Sequence, residues 1–127
     1  MSIDLEPEKR RELISILKKI SQGCELEALA VVTDEGIKLA FFAEKSADPD
    51  LLSAVSSAVL STGEMVTRQL DHGGLEQVLI RGQKGFTILS NLKEYLLIGA
   101  SKDLTSFGLA IRVIREYSHE LIAVLGS

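Results

Sequence analysis

Residues 48–70, DPDLLSAVSSAVLSTGEMVTRQL, constrain the fold more than any other stretch of this chain. Asp48 is placed to cap the free N–H groups of a helix, and Pro49 to take its first position, where a missing donor costs nothing. The apolar residues then form two rows. Leu52, Val55, Val59, Val66 and Leu70 recur at steps of three, four and seven, which predicts a face laid on a sheet. Leu51, Ala54, Ala58, Ser61 and Met65 make a second row beside it, small apart from its ends. Small side chains let another backbone come close. Such a row suits either a central helix buried on most sides within one chain or contact with a second copy. The second reading is adopted, because the outer helix of a monomer has no use for it.

The strand after this helix, expected over Leu75 to Arg81, supports that reading. It alternates Leu75, Gln77, Leu79 and Arg81 on one side with Glu76, Val78 and Ile80 on the other. Left at a sheet edge, an apolar strand is an aggregation hazard. Pairing with a two-fold mate removes the edge, and the resulting contact is self-complementary. The expected dimer interface is therefore Leu51, Ala54, Ala58, Ser61 and Met65 with Leu75, Gln77, Leu79 and Arg81.

At 127 residues the chain is expected to be one domain, 1–127, able to bury a core without metal or disulfide staples. Hydrophobic residues make up 46% and charged residues 25%, the balance of a folded globular protein. The net charge of −4 argues against a nucleic-acid partner, which needs a basic face. Lys9, Arg10, Arg11, Lys18 and Lys19 read as the solvated side of an amphipathic helix. A single cysteine, Cys24, supports no internal disulfide and no metal site. The N-terminus has no apolar signal-peptide core and no glycine after Met1, and no run reaches the roughly 18 apolar residues of a membrane span. A cytoplasmic location is expected, without membrane insertion.

Along the chain, 8–21 predicts a first helix with Leu13, Ile16, Leu17 and Ile20 on one face and Gly23 at its stop. Strands follow at 26–33 and 37–43, joined by the acidic turn Asp34-Glu35-Gly36. After the central helix come strands at 75–81, 85–91 and 94–100, with turns at 82–85 and 91–94. The last helix runs to about Leu125, burying Phe107, Ala110, Ile111, Ile114, Leu121 and Leu125. Gly108 predicts a close approach to a neighbour. The order is α-β-β-α-β-β-β-α. It implies an α+β fold: a five-stranded antiparallel sheet, with the terminal helices on one face and the middle helix on the other.

This order, with the stretches ALAVVTDEGIKLA, LLSAVSSAVLSTGEMV, LEQVLIRGQKGFTILSNLKEYLLIGAS and FGLAIRVIREYSHEL, resembles the roadblock/light-chain-seven domain family over about 8–125. The resemblance implies a profilin-like sheet, and pairing through the middle helix and third strand into one ten-stranded sheet. It implies a non-enzymatic platform or regulator for a small Ras-like GTPase. It also implies that any stimulated hydrolysis works by remodelling the partner's own catalytic residues. With no long additions at either end, the chain looks like the compact prokaryotic form, archaeal or bacterial.

No catalytic constellation is legible. His72 falls in a turn, His119 on the outer side of the last helix, and Cys24 at the end of the first, so no nucleophile, base and orienting group converge. Gly82 and Gly85 belong to a hairpin turn and lack the spacing of a phosphate loop. Asp34, Glu35, Glu44, Asp48 and Asp50 lack the pattern of a calcium loop. No cofactor and no metal are expected. Arg68 and Arg81 are the arginines nearest the expected platform, and Met65, Arg68 and Gln69 are the expected GTPase contacts. Two other readings are a scaffold subunit that pairs with another roadblock or longin-like chain, and a small-molecule sensor domain. The second is disfavoured because the strands show few convergent polar groups.

Overall fold

The computed structural model of the chain describes residues 6–24, 26–33, 38–43 and 49–126, with backbone alone for 38, 40–43 and 49–52. The turn Asp34-Glu35-Gly36, the cap at Asp48 and the carboxylate of Glu44 lie outside the described residues.

Helix α1 (Pro7–Cys24) buries Leu13, Ile16, Leu17, Ile20 and Cys24, while Arg10, Arg11, Lys18 and Lys19 stay exposed. It runs past the expected stop at Gly23, because its last turn still has a residue to bury: Cys24 is 1% exposed. Strands β1 (Ala28–Thr33), β2 (Lys38–Ala43), β3 (Gln77–Arg81), β4 (Phe86–Leu92) and β5 (Tyr95–Ser101) form one sheet in the order β2-β1-β5-β4-β3. Every neighbouring pair is antiparallel. Helix α2 (Pro49–Gln69) connects β2 to β3, so the chain leaves one edge of the sheet and re-enters at the other. Pro49 is the first residue of that helix, as its missing donor allows. A short 3-10 turn at Leu104–Ser106 leads into α3 (Phe107–Gly126), with the Asp103 carboxylate accepting from the backbone N–H of Thr105 at 3.0 Å.

Alternation along the strands divides the core in two. Leu29 and Val31 of β1, Leu97 of β5, and Phe86, Ile88 and Leu92 of β4 point at α1 and α3. Ala30, Val32, Leu89, Leu96 and Ile98 point the other way, where Leu60 of α2 meets them. The terminal helices thus share one face, packed on each other, and α2 lies on the opposite face. The two layers are unequal. The terminal-helix side holds most of the buried large residues, and the α2 side a smaller cluster.

The turn after β3 is built on Gly85. A β-carbon there would lie 2.7 Å from the carbonyl oxygen of Ser101, so only glycine lets the hairpin pass β5 at this distance. The turn after β4 is tighter than expected: β4 runs through Asn91 and Leu92, leaving Lys93 and Glu94 between the strands. Gly108 does not mediate a close approach. A β-carbon there would meet nothing within 4 Å, since Gly108 is on the exposed side of α3.

Candidate interaction surface

Helix α2 does not lie on the sheet by the row of larger apolar residues. Val55, Val66 and Leu70 are 53%, 52% and 59% exposed, only Val59 of that row is tucked partly inward, and Leu52 lies outside the residues with described side chains. The sheet side of α2 is made instead by Ser53, Ser56, Ser57 and Leu60, with the Ser57 hydroxyl facing the carbonyl of Thr33 at 3.5 Å. Serine is small, so the helix settles close to the sheet on that side. The Ser57 hydroxyl finds its acceptor on β1, where a buried hydroxyl without a partner would cost about 1–3 kcal/mol. Periodicity locates an apolar stripe on a helix but not the partner the stripe faces.

The second row is also outward. Ala54, Ala58 and Ser61 are exposed, and Met65 is 68% exposed; the side chain of Leu51 lies outside the described ones. Apart from Val59, the described side chains of both rows therefore face away from their own sheet. Between α2 and β3 they border an apolar groove of about 510 Å³, lined by Val55, Ala58, Val59, Val66 and Val78.

Strand β3 is the sheet edge next to this groove. The register separates its residues by face, because directly opposed residues point to the same side. Leu79 sits opposite Ile88 and so points to the α1/α3 side, with Gln77 and Arg81; Val78 sits opposite Leu89 and points to the α2 side, with Ile80. Leu79 and Ile80 are both about half exposed. Leu75 does not continue the Gln77–Leu79–Arg81 row. It precedes the strand and packs into the α2-side cluster, because the alternation breaks before Gln77, with Glu76 and Gln77 both turned to the α3 side. The residues expected to form one interface are therefore brought together along one edge but on two faces of it. Met65, Arg68 and Gln69 lie together at the C-terminal end of α2, where Arg68 pairs with Glu64 at 3.1 Å.

The Roadblock/LC7 domain model matches residues 16–102. The chain belongs to this family. Among curated relatives, the uncharacterized protein MJ1340 of Methanocaldococcus jannaschii is 26% identical over 110 residues, covering 87% of this chain and 96% of that one. MJ0310 of the same organism is 24% identical over the same shares. Among solved structures, MglB of Myxococcus xanthus superposes with a TM-score of 0.83 at 13% identity, over 91% of this chain and 95% of that one. The gliding protein MglB of Thermus thermophilus gives 0.82 at 14% identity, over 97% and 95%. At such identities the likeness is one of fold.

The groups read as candidate catalysts do not converge in this roadblock chain. His72 is exposed after α2, and His119 is exposed on α3. Cys24 is buried in α1, its thiol donating to the Ile20 carbonyl at 3.1 Å; burial raises its pKa from 9.0 to about 11, the wrong direction for a nucleophile. No helix among the described residues is long and apolar enough to cross a membrane.

One feature has no signature in the sequence. Because α3 lies over β4, the α3-side face of β3 is left open, and a groove of about 470 Å³ runs there, lined by Glu76, Gln77, Ser90, Arg115, His119 and Ile122. Arg115 and His119 stand one turn apart on α3, a spacing readable in advance. That β3 would bring Glu76 and Gln77 opposite them was not. The expectation of few convergent polar groups does not hold at this place.

Proposed function

We propose that this roadblock chain pairs with a second copy through α2 and β3. The paired protein then binds a small Ras-like GTPase in the cytoplasm and regulates its nucleotide cycle or its location, with no active site of its own. The observation that carries this reading is that α2 turns Val55 and Val66 outward beside a strand whose outer edge has no neighbour among the described residues. Covering half-exposed Val55, Val66 and Leu70 contributes on the order of 1 kcal/mol each. A β3–β3 ladder would also satisfy the backbone groups that the edge leaves to water. A structure of MglB in a tetrameric arrangement, with a TM-score of 0.82 at 13% identity, accords with self-association of this fold.

Met65, Arg68 and Gln69 are the proposed GTPase contacts. The Arg68–Glu64 pair does not hold Arg68 back, because an ion pair this exposed contributes less than about 1 kcal/mol. The test mixes the purified protein with Ras-like GTPases of the same organism, loaded with GDP or a GTP analogue. Complex formation that weakens about tenfold in Arg68→Ala, with or without faster hydrolysis, is expected. No complex in either nucleotide state overturns the reading.

The same surface also suits a related chain, and M. jannaschii holds at least three proteins similar to this one. Heterodimeric pairing as a scaffold subunit is therefore the second reading. Co-purification from native extract of a different small chain in equal amount would favour it over self-pairing.

A further inference from the structure

The α3-side groove lies away from the apolar surface, and its chemistry is different. One wall carries Arg115 and His119 of α3. The other carries Gln77 at the start of β3 and Glu76 just before it, with Ser90 of β4 between the walls and Ile122 as the apolar part of the lining. The volume of about 470 Å³ falls within the roughly 300–1,000 Å³ of small-molecule sites. The Gln77 side-chain N–H donates to the Ser90 hydroxyl at 3.2 Å, which fixes the amide and leaves its oxygen free to accept. Ser118 donates to the Ile114 carbonyl at 2.7 Å and is already engaged.

The decisive pair is Arg115 and Glu76. Their charged atoms stand 3.5 Å apart, longer than a good charge-assisted hydrogen bond, and both side chains are mostly exposed, at 68% and 78%. Such a pair stabilises the fold little and separates readily. An anion alone would gain Arg115 but face the Glu76 carboxylate, and a cation alone would meet the reverse. A ligand carrying both charges satisfies both walls when it parts them. We propose that this groove binds a small zwitterion of the α-amino-acid class: carboxylate on the Arg115 guanidinium, ammonium on Glu76 and the Gln77 side-chain oxygen, side chain toward Ile122. The site lies on the helix side of β3 and takes no residue from a second copy, although Gln77 also belongs to the edge strand proposed to pair. Charges this close to water give weak binding, with Kd on the order of 1 mM.

The test is an NMR titration of the full chain with individual α-amino acids up to 10 Kd, on the order of 10 mM, alongside propionate and propylamine. Saturable shifts at Gln77, Ser90, His119 and Ile122 are expected for at least one amino acid, with propionate and propylamine each at least tenfold weaker. Glu76→Gln and Arg115→Gln are each expected to lose tenfold or more in affinity, with melting temperatures within a few degrees of the parent. Tighter binding of propionate, or stronger binding in Glu76→Gln, makes the groove an anion site and overturns the proposal. So does the absence of shifts at those four residues with every amino acid.

Discussion

Gly63 brings the backbone of α2 so near β3 that a β-carbon on it would lie 3.2 Å from Cγ2 of Val78 and 3.1 Å from Cδ2 of Leu75. The separation of helix and edge strand, and with it the shape of the apolar groove, is set at this residue. Both contacts are to side-chain methyls that need give by only a few tenths of an ångström, and Leu75 is free to rotate, so a single methyl can be accommodated. Alanine also gains about 1 kcal/mol of helix propensity over glycine. Gly63→Ala is expected to unfold within about 1 kcal/mol of the parent in urea. Gly63→Val, which cannot be absorbed this way, is expected to lose about 2 kcal/mol and to weaken self-pairing by displacing α2.

Leu79 and Ala58 test the pairing from opposite faces of the edge. Each is exposed in the protomer, so a charge there costs the isolated subunit little. Leu79→Lys and Ala58→Glu are each expected to halve the mass measured by light scattering, or to give insoluble protein. An unchanged, soluble assembly in both variants removes α2 and β3 from the interface.

Gly85 has no such room. The atom 2.7 Å from its missing β-carbon is the backbone oxygen of Ser101, which cannot rotate away. Gly85→Ala is expected to cost about 2 kcal/mol or more and to lower the melting temperature by several degrees. A variant as stable as the parent would show that the β3–β4 turn shifts freely.

Cys24 sets a pH dependence. Burial raises its pKa from 9.0 to about 11, so the folded state keeps the proton that the unfolded chain gives up. The stability it contributes is complete below pH 9 and falls as pH rises toward 11, by at most about 3 kcal/mol. The loss of stability between pH 9 and 11 is expected to be shallower in Cys24→Ala than in the parent. Thiol reagents are expected to react with Cys24 at pH 8 only on unfolding. Immediate labelling of the native protein would contradict the burial.

The sequence alone determined the order of helices and strands, the family, and the buried faces of α1 and α3, because those helices have one continuous apolar stripe and one charged side. Leu13, Ile16, Leu17, Ile20, Ala110, Ile114, Leu121 and Leu125 could be assigned to the core by spacing. Only tertiary structure decided which side of α2 meets the sheet. That helix offers two apolar rows and a line of serines, and spacing does not tell a stripe meant for the core from one left for a partner. The division of β3 between two faces, and the meeting of Glu76 with Arg115 across 39 positions of chain, were likewise set by strand register and by α3 coming to rest over β4. Local residue preferences carry no information about either, because both depend on where distant segments dock.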